Sequence, residues 1–357
     1  MTKIIIVIAI VVSLISCRTD FSVNGEYEER AIVHFLLDPN DDYHFMKLNK
    51  TFLGDGNANT FAQVPDSSYF GLVDAVVQEV YDDVVLREWT LTDTIIENKD
   101  ENGVFYAPDQ KLYYFQADLD DDGLSNLQKP EKIYRLNIEI ENGKHFVYGE
   151  TGLVNDILIS MPGQNNAINF MQTTTEYGSQ PIRFSVGNGE VFNTRLLFNY
   201  REVRASGTEL KTMEWNLGSL RRKDIPATTA VVTARGETFY ERVRNNIPID
   251  DNVIRREVAS FEIVITAGSE DLNTYMLVNE PTSSLAQNKP EFSNVEGALG
   301  IFSSRTTVTQ FKLDYIPPSI RALSANSTRE LCNGTYTVPL NFCSDIPLDN
   351  NSNFSCN

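Results

Sequence analysis

Residues 134–140 read Tyr134-Arg135-Leu136-Asn137-Ile138-Glu139-Ile140. Tyr134, Leu136, Ile138 and Ile140 alternate with Arg135, Asn137 and Glu139, the period-two pattern of a strand with one buried and one solvated face. Asn142-Gly143 follows and suits the positive φ angles of a tight turn, so Lys144 to Gly149 is expected to pair back as a hairpin. Working outward, Val73 to Tyr81 and Val84 to Thr92 are β-rich runs parted by Asp82-Asp83, a second hairpin. Arg30 to Leu37 is apolar on both faces, which places it centrally. It stops at the turn-forming Asp38-Pro39-Asn40-Asp41-Asp42, and Tyr43 to Lys50 returns. Gly54 to Ser68, rich in Gly, Asn, Asp and Ser, reads as a long loop.

Downstream, strands are expected at Ile157–Met161, Ile182–Val186, Thr194–Val203, Thr208–Leu217, around Phe261–Thr266, and at Thr307–Tyr315. One helix interrupts them. Glu237 to Ile247 places Phe239, Val243 and Ile247 four residues apart, with Pro248 as a stop, and reads as a packing helix. Ser327 and Glu330 sit at capping-box spacing ahead of Gly334, which suits one further short helix. The 357 residues exceed the size at which one core stops growing, so about two domains are expected. The fold class is therefore mainly β: a β-sandwich-like domain over residues 30–155, a second β-rich domain with one short packing helix over 156–318, and a cysteine-containing tail over 319–357.

The N-terminus carries Lys3 and an apolar run from Ile4 to Leu14. That run is too short to span a bilayer, which takes about 20 apolar residues, and matches the h-region of a signal peptide over 1–16. Ser16-Cys17 resembles the lipobox of bacterial lipoproteins. The resemblance implies that Cys17 becomes the lipidated first residue of a tether over 17–29; a plain secretory signal with a chance cysteine is the alternative. The net charge of −19 excludes binding to phosphate backbones, so no nucleic-acid partner is expected, and it leaves membrane attachment to the lipid. Cys332, Cys343 and Cys356 crowd the C-terminus. In an oxidising compartment Cys332 and Cys343 are expected to close a short loop, with Cys356 left over; three cysteines without a nearby histidine do not match zinc spacing.

The sharpest candidate for chemistry is Asp118-Leu119-Asp120-Asp121-Asp122-Gly123-Leu124-Ser125-Asn126. Calcium takes six to eight oxygens from a curved loop, and here Asp118, Asp120 and Asp122 supply carboxylates and Leu124 a carbonyl. Over these nine residues the chain resembles the calcium loops of thrombospondin type-3 and EF-hand-like repeats. Lys129 stands where those loops carry a bidentate Glu, and a solvated acidic turn is the competing reading. Calcium is the one cofactor the sequence suggests. His34, His44 and His145 fall within strands and beside no nucleophile motif, and G-x-S-x-G, H-E-x-x-H and Walker loops are absent. Carboxylate-pair hydrolysis stays open, because its pair is defined in space. Tyr113, Tyr114 and Phe115 read as strand core and not as a sugar platform.

Gly236-Glu237-Thr238-Phe239-Tyr240, Phe261 to Gly268 with Tyr275 downstream, and Phe292-Ser293-Asn294-Val295-Glu296-Gly297-Ala298-Leu299-Gly300-Ile301-Phe302 resemble a family of Bacteroidetes lipoproteins known only as a domain of unknown function. Its members are often encoded beside TonB-dependent outer-membrane receptors. Asp93-Thr94-Ile95 is similar to the triplets at which Bacteroidetes attach O-linked glycans. The resemblance implies a non-enzymatic, lipid-anchored outer-membrane protein that binds a ligand or an outer-membrane protein partner, with the periplasmic and surface faces both open. An envelope hydrolase using paired carboxylates and a structural surface protein with a calcium-stiffened loop are the alternatives.

Overall fold

The computed structural model describes residues 29–51, 64–97, 109–119, 132–280, 291–313 and 321–356. The first half contributes strands β1 (Ala31–Leu37), β2 (Tyr43–Lys50), β3 (Val73–Tyr81), β4 (Val84–Thr90), β5 (Thr92–Ile96), β6 (Gln110–Gln116), β7 (Ile133–Ile140) and β8 (His145–Gly152). The second contributes β9 (Ile159–Met161), β10 (Ser179–Ser185), β11 (Val191–Arg204), β12 (Gly207–Arg221), β13 (Thr229–Arg235), β14 (Val253–Gly268), β15 (Val295–Glu296) and β16 (Ala298–Leu313). Three helices of nine to eleven residues join them: α1 (Gly236–Asn246), α2 (Glu270–Asn279) and α3 (Ala325–Asn333). The protein is mainly β, as its residue pattern implies, and it has one helix more than the packing helix and the short C-terminal helix expected: α2 is the unexpected element. Its Ser269 cap accepts from the Leu272 N–H, but no residue of the helix is buried, so its sequence carries no apolar stripe.

Two cores are present. In the first, Phe35, Leu37, Met46 and Leu48 pack against Val77, Leu136, Ile138 and Val147 of a five-stranded sheet ordered β15-β8-β7-β3-β4. In the second, Phe198, Phe261 and Ile263 pack against Phe170, Phe184, Phe239 and Tyr240, which come from a three-stranded sheet ordered β13-β10-β9, from α1 and from the segment before β10. One eight-stranded sheet, ordered β12-β11-β14-β16-β1-β2-β6-β5, serves both. Its hinge is β16: residues Ala298–Ser304 pair in parallel with β1, and Arg305–Leu313 pair antiparallel with β14. The first unit is thus completed by residues 295–304, far outside the 30–155 range, because Val295 and Phe302 belong to its core. Gly300 (φ +106°) permits that contact, since a Cβ there would lie 2.0 Å from the Val33 carbonyl oxygen.

The expected hairpins form. Asp82 and Asp83 take φ of 48° and 60° between β3 and β4, and Ile140 pairs with His145 across a turn in which Glu141, Asn142 and Gly143 all have positive φ. The chain then leaves one sheet for the other at buried Leu91, so Thr92 opens β5 instead of ending β4.

The C-terminus departs from expectation twice. Ala322, Leu323, Leu331, Leu340 and Phe342 are buried in the second core, so residues 321–356 are not a tail. The expected Cys332–Cys343 bridge is not made; Cys343 pairs with Cys356. Cys332 lies on the buried face of α3, whereas Cys343 and Cys356 are brought side by side when Cys356 N–H donates to the Ser344 carbonyl, with Cα atoms 4.9 Å apart. Burial pushes the free Cys332 thiol up to about 12, leaving it a packing group. Ser324, not Ser327, caps α3 by accepting from the Ser327 N–H, and Glu330 accepts instead from the Tyr177 hydroxyl at 2.9 Å.

Candidate functional site

Alternation along β3, β7 and β8 sends every second side chain outward, and the strand register lines these up in rows. One row is Asp74, Glu139 and Phe146; the next is Val76, Asn137, Tyr148 and Glu296 of β15. With strands about 4.8 Å apart, the second row spans roughly 14 Å. The two rows line a cleft of about 580 Å³. Phe146 is 65% exposed and Tyr148 37%, large apolar areas to leave in water on a sheet whose other face is fully packed. Gly297 (φ +74°) closes the cleft: a Cβ there would sit 2.0 Å from the Phe146 carbonyl oxygen, so glycine lets the β15–β16 link reach β8 and sets Glu296 beside Tyr148.

The electrostatics of this face are one-sided. Among the described residues no cation pairs with Asp74, Glu139 or Glu296. The neighbouring Arg135 is engaged by Glu150 at 2.6 Å and Asp83 at 2.9 Å, and Lys144 by Glu29 at 2.9 Å and Glu141 at 3.0 Å.

The acidic loop is approached from a buried charge centre. Glu79, 1% exposed, is held by Arg87, by the Tyr134 hydroxyl at 2.8 Å and by Lys132 at 3.2 Å. Burial opposes its charge, but these donors outweigh it and keep the Glu79 carboxyl below its ordinary value. Arg87 also donates to the Asp118 carbonyl at 3.2 Å, and Leu119 is buried. Asp118 and Lys132, on either side of the loop, are therefore tied to one carboxylate. Asp118 is exposed; Asp120, Asp122 and Leu124 lie outside the described residues, as does Cys17. No group of three metal-ligating side chains occurs among the described residues.

Other candidates resolve into structural roles. The His34 ring meets the Tyr275 hydroxyl at 2.9 Å, His44 Nε2 meets the Ala117 carbonyl at 3.0 Å, and His145 lies 3.4 Å from Glu29. Tyr113 and Phe115 are core, as expected, whereas Tyr114, one residue out of phase with them, is only partly buried and packs with the exposed Tyr43 and Phe45. Glu237 and Glu241, one turn apart on α1, both accept from the Tyr336 hydroxyl at 3.2 Å, so the tyrosine takes the space between these carboxylates. A second cleft, about 590 Å³, is lined by Lys50, Tyr69, Phe70, Ile95, Asp109 and Lys111, but Lys50 is paired with Glu29 and Lys111 with Asp93, each at 3.5 Å. Thr94 sits on the edge strand β5, partly exposed.

The residues behind the family resemblance do structural work. Phe239 and Tyr240 are buried on α1, Phe261, Ile263, Ile265 and Ala267 point into the second core, and Asn294 brackets the backbone of Phe302 with two hydrogen bonds. The cleft itself escaped the sequence reading, although Phe146 and Tyr148 at alternate positions, out of phase with buried Val147, are its visible sign.

No family model matches the chain, and no curated protein does. Among solved structures, it is similar to the C-terminal globular domain of an oligosaccharyltransferase from Pyrococcus abyssi: 14% identity over 65% of this chain and 47% of that one, TM-score 0.20. A mutant Salmonella alpha-2-macroglobulin matches at 10% identity over 82% of this chain and 15% of that one, TM-score 0.19. Likeness at this level carries no argument about fold or function.

Proposed function

We propose that the protein is a non-enzymatic, lipid-anchored outer-membrane lipoprotein that serves as a partner-binding accessory of a TonB-dependent receptor type of system. The observation that carries this reading is the open cleft on the five-stranded sheet, where exposed aromatic rings and carboxylates that no described cation pairs with sit on a sheet packed on its other face. Lipidation at Cys17 would leave twelve residues before Glu29, a tether of at most about 40 Å. Hydrolysis by paired carboxylates gains nothing from Glu237 and Glu241, whose shared space Tyr336 fills. The test is affinity purification of the native lipoprotein from outer membranes. Co-purification of a TonB-dependent receptor in fixed proportion supports the reading, and recovery of the lipoprotein alone at full yield rejects it.

A second reading, a calcium-stiffened loop at Asp118, Asp120, Asp122 and Leu124, draws on the anchoring of Asp118 and Lys132 to Glu79, which would hold the loop's two ends near each other. A thermal melt in millimolar calcium against chelator tests it.

A further inference from the structure

We infer that the cleft on the outer face of the five-stranded sheet is the docking surface itself, and that its occupant is an extended, arginine- or lysine-bearing segment of the protein partner. This rests on the partner-binding reading above and adds the place and the chemistry. Three features converge on a cation. Asp74, Glu139 and Glu296 border the cleft with no basic side chain among its lining residues. Two rings, Phe146 and Tyr148, stand on the same face of β8, and exposed aromatic faces attract guanidinium and ammonium groups through the ring quadrupole. Arg135, on β7, and Lys144, in the turn before β8, are each divided between two carboxylates of their own, so neither is free to swing in and neutralise the site.

The shape fits the same occupant. The longer row, crossing four strands, gives a shallow trough of roughly 14 Å, the length of about four extended residues, so successive long side chains can lie over the rings with their charged ends at the carboxylates. An anionic partner would face three like charges with nothing to offset them. A neutral one would leave the three carboxylates desolvated and unpaired.

The probe is a fluorescein-labelled eight-residue peptide of alternating arginine and serine, titrated against the full mature lipoprotein in detergent micelles. Binding is expected, weakened at least tenfold in the Asp74→Asn/Glu139→Gln/Glu296→Gln variant and reduced by added salt. Phe146→Ala, an exposed position that leaves the fold intact, should weaken binding by about two- to fivefold, the worth of an exposed cation–π contact. The isocharge control Glu209→Gln/Glu214→Gln/Asp251→Asn, in the second half, should bind within twofold of wild type. Equal losses in the control and the cleft variant would show attraction to the general negative charge and overturn the proposal. So would wild-type binding in the cleft variant together with Phe146→Ala, or no binding by the wild type. Purification from membranes separates this proposal from the reading beneath it. A receptor retained by the cleft variant refutes the docking surface alone, whereas a receptor absent from the wild type refutes partner binding.

Discussion

The two halves of the protein treat their sheet surfaces in opposite ways. Of the six Phe and Tyr side chains that are exposed among the described residues, Tyr43, Phe45, Tyr81, Phe146 and Tyr148 belong to the first half, and Phe311 alone to the second. The second half turns its rings inward, where Phe170, Phe198, Phe239 and Phe261 stack on one another, and covers them with helices and the C-terminal segment. Each half also fastens its surroundings with a buried charge, acidic in one and basic in the other. In the first, Glu79 gathers donors that tie down the acidic loop's ends. In the second, Arg256, 1% exposed, pairs with Glu202 at 2.7 Å and donates to the Leu340 carbonyl at 2.7 Å and the Pro248 carbonyl at 3.0 Å, fastening the C-terminal segment. The contrast separates a scaffold, stabilised by covering its faces, from a half that keeps its faces bare and secures the loops around them.

The largest effects should come from the charge centres. Arg256→Ala leaves the buried Glu202 with Arg204 alone and takes a donor from the Leu340 and Pro248 carbonyls, and should cost about 3–5 kcal/mol by denaturant unfolding. Glu79→Ala removes the buried carboxylate shared by Arg87, Lys132 and the Tyr134 hydroxyl and should cost a similar amount at neutral pH. The folded pKa of Glu79 lies below its ordinary 4.5, so its stabilisation is present above that value and is lost as the pH falls through the folded one. The gap between wild type and variant should therefore close in acid. If the two substitutions cost less than 1 kcal/mol each, neither cluster is a fastening device.

Cutting the Cys343–Cys356 bridge by Cys356→Ser should cost about 3 kcal/mol, since its loop spans 13 residues, and should speed proteolysis of the C-terminal segment before any cleavage in the first half. Millimolar calcium should raise the melting temperature by several degrees if the acidic loop binds it, and an unchanged melt discards the site. The smallest effect is assigned to the bare face: Phe146→Ala should alter stability by no more than about 0.5 kcal/mol, because the ring is mostly in water. A loss near that of a core phenylalanine, about 3 kcal/mol or more, would mean that the face supports the fold.

Much of the fold was legible because local patterns and tertiary packing agree. The period-two run at Tyr134–Ile140 and the Phe239/Val243 spacing of α1 each report a face that is in fact buried, and Asp82-Asp83 marks an exposed turn that does form. What escaped was long-range. Nothing in Ala298–Leu313 shows that its two ends pair with strands in different halves, and parallel pairing with β1 joins residues some 267 positions apart. The cysteine pairing escaped for a different reason: two short loops were equally open to closure, and the Ser344–Ser355 bridge that favours the second is not revealed by spacing. The cleft was half visible: β8 displays its rings, but Glu296 reaches them only through the β15 pairing that Gly297 allows.

The central claim, that the first half carries the binding surface and the second half the scaffold, is tested most directly by photo-crosslinking in intact outer membranes. A photoreactive amino acid is placed at position 146 in the cleft or at position 210 on the second half's edge strand, where Leu210 is 64% exposed. The account predicts a discrete adduct with an outer-membrane protein from position 146 and none from position 210. An adduct from 210 with none from 146 would contradict it.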